Sequence, residues 1–169
     1  MSPIGHFAAG LAAKPLAPKV PLYVLLFATL VLDFLYFAFA YAGMEGAKSG
    51  IPWSHPWSHG LFMSVIWSGA AGLLAARIYR DYRAGAVVGL LVFSHWALDF
   101  ISHPMGLGHP LPPDMPLLFH GSRKVGLGLY NSISLFQAIS IEVGMFILGA
   151  AVYFTYTVKE RRKRRPKSA

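Results

Sequence analysis

His95, Asp99 and His103 stand at i, i+4 and i+8. Four residues advance a helix by 400°, so on one continuous helix the three share a face. A carboxylate between two imidazoles on one stripe is a donor set for a divalent cation, with Zn²⁺ favoured by nitrogen ligands. A buried histidine and aspartate bonded only to each other would satisfy the same pair. Asp33 and His59, at the same depth as His103, bear on that choice, because each lies in or beside otherwise apolar sequence. Carboxylates buried among apolar groups are hard to sustain without a cation or a proton. Other chemistries lack their residues: there is no Gly-rich phosphate loop with a Lys, no G-x-S-x-G and no H-E-x-x-H.

The elements that must carry these residues follow from composition. The chain has 169 residues, 55% hydrophobic and 13% charged, with no cysteine, and its mean hydropathy is +0.49. An average soluble domain is about 25% charged. A soluble globule, a disordered chain and a disulfide scaffold are all excluded, which leaves an integral membrane protein. A membrane-crossing helix needs roughly 20 mostly apolar residues. Four stretches meet this: Val20 to Ala40, Gly60 to Ala76, Ala84 to Ser102 and Leu127 to Val158. The last would be about 48 Å long as one helix, so it must protrude, tilt or break. Ile4 to Ala13 is too short to cross and has no basic run before it, so it is read as a short helix rather than a signal peptide. The expected fold is all-α and polytopic, with four transmembrane helices plus a short N-terminal helix. Residues 1–158 form one helical membrane domain and 159–169 a basic cytoplasmic tail.

Basic residues set the orientation. Lys14 and Lys19, then Arg77, Arg80 and Arg83, then the tail all belong on the cytoplasmic side. The Gly/Pro-rich loops Ala42–Ser58 and His103–Val125 then face outward. Counting from these boundaries places His103 at the outer interface, Asp99 about 6 Å deep and His95 about 12 Å deep. Asp33 falls about 9 Å below the same surface, Glu142 a few Å inside, and His59 at the outer start of the second stretch. These positions thus fall in one outer-leaflet layer.

The other polar residues are more ambiguous. A turn through Lys14 to Lys19 brings His6 back toward Asp33, matching its level only within about 9 Å. His55 reads as a second ligand or as an interfacial histidine among Trp53 and Trp57. His109 and His120 read as solvated loop residues, and Asp114, among prolines, as a turn residue. Arg123 and Lys124 lie on the outer side against the charge rule, where they would bind a phosphate, a carboxylate or lipid headgroups. The tail KERRKRRPK suits anionic lipid at about 1 kcal/mol per basic residue, and no nucleic-acid partner is expected.

The segments GHFAAG, PWSHGLF, FSHWALDFISH and PDMPLLFHGSRKVGLGLYNS, with the helix-borne Asp33, resemble the YdjM-like family of membrane-bound metal-dependent hydrolases. The resemblance runs from about Gly5 to Glu142. It implies a metal set of His6, Asp33, His59, His95, Asp99 and His103. Asp114, Arg123, Lys124, Asn131 and Glu142 are further candidates. The chain departs from the family in carrying one carboxylate at Val31-Leu32-Asp33-Phe34-Leu35 and an additional MGLGHPLP segment. The order of its histidines and aspartates is also similar to the helical zinc-dependent phospholipase C and single-strand nuclease superfamily.

The expected activity is hydrolysis of a phosphoester or acyl bond in a lipid or lipid-linked substrate, in the outer leaflet of a bacterial inner membrane. His95, Asp99 and His59 would hold a divalent metal, most simply Zn²⁺. Asp33 would bridge metals or act as base, and Arg123 and Lys124 would steady a phosphate. The competing expectations are an ion- or metal-handling protein, and an assembly protein in which the cluster is a polar staple.

Overall fold

A computed structural model describes residues 1–49 and 55–163. Among them the chain forms six helices: α1 (Pro3–Ala12), α2 (Leu22–Ala28), α3 (Val31–Tyr41), α4 (Leu61–Tyr79), α5 (Tyr82–Ser102) and α6 (Leu135–Lys163). A small antiparallel hairpin, β1 (Met115–Pro116) and β2 (Lys124–Val125), lies between α5 and α6. The helix α1 starts on Pro3, whose missing N–H costs nothing in a first turn. Three helices are long and apolar enough to cross a membrane, or four if α2 and α3 count as one bent span. Trp53 lies outside the described residues.

The first apolar stretch is not one helix, contrary to the continuous Val20–Ala40 expected. It bends by 54° between α2 and α3. No glycine or proline marks the place. The Thr29 hydroxyl instead donates to the Leu26 carbonyl at 2.7 Å, the local competition by which threonine bends helices. The break leaves the Thr29 carbonyl outside the helical ladder and puts Asp33 in the first turn of α3, where the helix dipole favours a carboxylate.

The last stretch also differs. Helix α6 begins at Leu135 rather than near Leu127, because Gly128 takes φ +64° and residues Leu129–Asn131 make a 3-10 turn. Its 29 residues run unbroken for about 44 Å. Its last turn is basic, with Arg161, Arg162 and Lys163, which complements the C-terminal end of the dipole.

Close backbone approaches position the site. Helix α1 lies against α6 at Gly149, where a Cβ would stand 2.5 Å from the Ala8 carbonyl oxygen. The α4–α5 hairpin closes through Gly72, Gly85 and Gly89, and a Cβ on Gly85 would meet the Ala76 Cβ and the Gly72 oxygen, each at 2.6 Å. The turn between them passes through Arg80 at φ +48°. Asp81 then caps α5 by accepting from the backbone N–H groups of Arg83 and Ala84 and pairs with Lys19 at 3.1 Å. The apolar core, Leu25, Ala28, Leu32, Val88, Leu91 and Val92, sits between α2, α3 and α5.

Two outcomes follow from this packing. Gly85→Ala should destabilise the protein by about 1–3 kcal/mol through overpacking. Gly69→Ala, with open space at its Cβ position, should be neutral or slightly stabilising. Denaturant titration in detergent measures both. The Lys19 hydrogen bond holds the Asp81 carboxyl below the usual aspartate range. A depressed folded-state pKa gives stability that is present above the unfolded pKa and lost as pH falls through the folded one. Asp81→Ala should therefore lower the melting temperature at neutral pH and flatten its fall in acid.

Candidate metal centre

Helix α5 supplies His95 and Asp99, one turn apart on its buried side. Residue His59, just before α4, and Asp33, in α3, close on them. His95 Nε2 stands 3.1 Å from Asp99 Oδ2, 3.2 Å from His59 Nε2 and 3.5 Å from Asp33 Oδ1. His59 Nε2 stands 3.6 Å from Asp33 Oδ1 and 3.8 Å from Asp99 Oδ2. Donor atoms from four places in the sequence thus gather around His95 Nε2 and His59 Nε2, with each carboxylate, Asp33 and Asp99, near both rings.

Proton bookkeeping shows what these atoms lack. His95 Nδ1 lies 2.7 Å from the Thr29 carbonyl oxygen. A carbonyl only accepts, so Nδ1 carries the proton and, in the neutral ring, Nε2 is a bare lone pair. His59 Nδ1 lies 2.9 Å from Ser58 Oγ. That hydroxyl donates its one proton to Glu45 Oε2 at 2.7 Å, so it accepts from His59 Nδ1–H. In their neutral forms the two imidazoles turn bare nitrogens toward each other and toward the carboxylates of Asp33 and Asp99. Lone pairs at 3.2 Å need a proton or a cation between them.

The spacing fits a metal. Tetrahedral Zn²⁺ with ligands at about 2.0–2.1 Å has ligand–ligand edges of about 3.3–3.4 Å, and the five separations above run from 3.1 to 3.8 Å. His6 adds to the same neighbourhood. Its ring stacks on His95 with centroids 3.8 Å apart and planes within 4°, and its Nε2 lies 3.4 Å from Asp99 Oδ1. It is buried, and neither ring nitrogen makes a hydrogen bond. His6, His95 and Asp99 thus form one group with metal-ligand spacing and Asp33, His59 and His95 another, with His95 common to both. The Met1 ammonium donates to Asp99 Oδ1 at 2.7 Å.

Several expected residues stand elsewhere. His103 is not in the donor set. Helix α5 stops at Ser102, and His103, held extended before Pro104, leaves the stripe. Its Nδ1 pairs instead with Asp114 Oδ2 at 3.0 Å, so Asp114 has a partner beyond any turn role. Glu142 is buried and belongs to neither group. It accepts from the Ser2 backbone N–H at 3.0 Å, from the Ser2 hydroxyl, and from Tyr130 OH at 3.4 Å. Its carboxylate anchors the start of α1 to α6. Arg123 and Lys124 do not line the cavity; they sit on the hairpin, with Lys124 paired in register to Pro116. Asn131 braces the loop between α5 and β1, accepting from Gly106 N–H and donating to the Leu111 carbonyl. His109 and His120 are exposed, as expected of loop residues.

A cavity of about 380 Å³ opens on the cluster. Asp33, His59, Asp99 and the His103–Asp114 pair line one part, and Met105, Leu111 and Met115 another. His55 also faces it, beside the Tyr36 ring at 4.7 Å. Burial, then the neighbouring His59, pushes the His55 imidazole down to about 4, so it is neutral at pH 7. Thr29, Glu45 and Ser58 were not expected at the site. Thr29 contributes a carbonyl, which no side-chain pattern reveals, and Glu45 is 13 residues from Ser58 in a glycine-bearing loop.

Metal content after purification separates the donor set from its neighbours. His95→Ala and His59→Ala should lose most of the bound divalent metal, whereas His103→Ala and His109→Ala should keep it, as read by elemental analysis of detergent-purified protein.

No protein-family model, curated protein or solved structure matches this chain.

Proposed function

We propose that this chain is a membrane-embedded, metal-dependent hydrolase that cleaves a phosphoester or acyl bond of a lipid or lipid-linked substrate. The observation that carries the reading is the meeting of two bare imidazole nitrogens and two carboxylates at 3.1–3.8 Å, beside an open cavity. A shared proton would relieve one pair of these atoms, whereas a divalent cation held by His59, His95 and Asp99 answers three of them and leaves Asp33 beside it. Held there, Zn²⁺ or a similar ion would supply an acidified water and a Lewis acid for the scissile group.

The chain's own residues do the rest. His59, His95 and Asp99 hold the cation. Asp33 is about one-third exposed, against 6% for Asp99, and it lines the cavity. It is therefore the carboxylate best placed to take a proton from an incoming water. His103, oriented by Asp114, can pass a proton to the leaving group. The apolar wall of Met105, Leu111 and Met115 suits an acyl or polyprenyl chain. Arg123 and Lys124, on the hairpin, are assigned to lipid headgroups beside the mouth.

The three long helices and the bent α2–α3 pair are assigned to four membrane crossings. The positive-inside rule puts the C-terminal tail in the cytoplasm, against anionic lipid, and the cavity in the outer leaflet. The resemblance in FSHWALDFISH supports a bacterial inner membrane. An ion pathway is the rival reading, and the interior disfavours it. Below the cluster the core is Leu25, Ala28, Val88, Leu91 and Val92. The buried hydroxyls of Thr29, Ser64 and Ser68 are spent on backbone carbonyls.

Two measurements test this. With protein in liposomes and a panel of phosphorylated and acylated lipids, turnover should be abolished by a chelator. Asp33→Asn should reduce it about 10²–10⁴-fold, the range for loss of a general base, while stability changes by about 1 kcal/mol or less. Chelator-insensitive turnover retained by Asp33→Asn would contradict the reading. A cysteine at Ser49, in a chain with none of its own, should react with an impermeant thiol reagent from the periplasm. Reaction only after cell breakage would overturn the orientation.

A further inference from the structure

Glu45 is a charged residue with no exposed surface, in the loop that leaves α3. Its Oε1 accepts from the backbone N–H groups of Trp57 at 2.6 Å and Ser58 at 2.9 Å. Those two bonds would satisfy a carboxylate whose task was to hold the turn before α4. The other oxygen has a separate partner, the Ser58 hydroxyl at 2.7 Å, and that hydroxyl stands 2.9 Å from His59 Nδ1. A serine hydroxyl has one proton. While Glu45 takes it, Ser58 can only accept from His59, and the imidazole must carry its proton on Nδ1.

We infer that Glu45 is a positioning residue which, through Ser58, fixes the Nδ1–H tautomer of His59 and keeps its Nε2 bare for a cation. The inference rests on the metal reading for its consequence, but the tautomer itself is a property of the metal-free protein. Carboxylates and carbonyls that orient ligand histidines commonly change metal affinity 10–100-fold when removed. His95 is oriented by a backbone carbonyl that no side-chain substitution removes. His59 is oriented by a side chain, so it is the half of the pair that mutation can switch.

Glu45→Gln makes the switch. The glutamine carbonyl can still accept from the Trp57 and Ser58 N–H groups, which keeps the turn. Its NH₂ group then faces Ser58 Oγ and donates to it. The Ser58 proton turns toward His59 Nδ1, and the imidazole proton moves to Nε2, where it blocks the donor set. Ser58→Ala removes the relay without touching Glu45 and serves if the first variant fails to fold.

The probes are Co²⁺ titrated into detergent-purified full-length protein, read by visible absorption, and ¹⁵N shifts of the histidine rings without metal. Glu45→Gln should weaken Co²⁺ binding about 10–100-fold and move the His59 resonances to the Nε2–H pattern, with metal-free melting unchanged. The double variant Glu45→Gln, Ser58→Ala should bind no more weakly than Ser58→Ala alone, because the glutamate acts through the serine. Wild-type Co²⁺ affinity with unchanged His59 shifts in Glu45→Gln would overturn the inference. Absence of Co²⁺ binding to the wild-type protein, with the tautomer still switching, would sink the metal reading and leave the relay standing.

Discussion

The constraint on which the structure turns is that the Nδ1–H groups of His59 and His95 are committed elsewhere. One is spent on Ser58 and the other on the Thr29 carbonyl. What remains at the centre is an excess of electron pairs: two ring nitrogens and the oxygens of Asp33 and Asp99. Such a cluster is costly among apolar helices unless positive charge sits in it. The surrounding fold nevertheless holds the four groups together from four separate segments. The Met1 ammonium offsets charge on Asp99 Oδ1, and the arrangement accords with the proposal that a further cation completes the set.

The secondary structure is bent to the same purpose. The 54° break between α2 and α3 costs the first apolar stretch its continuity. In return it frees a carbonyl for His95 and starts a helix whose first turn bears Asp33. Glycines then let backbones approach where larger side chains would hold them apart. Gly149 admits α1 against α6, which brings His6 face to face with His95. Glu142 seals that docking by taking both the N–H and the hydroxyl of Ser2. Its burial is thus explained by assembly of the N-terminal helix rather than by chemistry at the cluster.

Much of this was legible in the sequence, and the exceptions have physical causes. The i, i+4 pair His95–Asp99 sits on one face of a helix, and the short N-terminal helix runs over nearly the residues expected. His59 and Asp33 meet the pair, as their depths implied. The break at Thr29 was not legible, since a threonine bonding back to its own helix is common and rarely bends it this far. His103 was misplaced by extending the helical stripe one turn too far, although Pro104 was there to stop it. Glu45 could not be found at all, because the pairing that gives it meaning closes a loop of 13 residues through a serine hydroxyl.

The misplaced turn at His103 also builds the rest of the cavity. Had α5 continued, His103 would have stayed on the stripe and the chain would have risen away from the cluster. By leaving the helix before Pro104, the chain brings the segment from Met105 to Pro116 to the cavity that Asp33, His59 and Asp99 also line. Met105, Leu111, Met115 and Pro116 become the wall facing Asp33 and His59, and Asp114 becomes the partner of His103. One local event therefore removes a third imidazole from the donor set and supplies the opposing surface. A cluster ringed entirely by ligands would bury its cation as a staple. One with His103 withdrawn and apolar side chains in the same cavity lining accords with the proposal that a second molecule enters there.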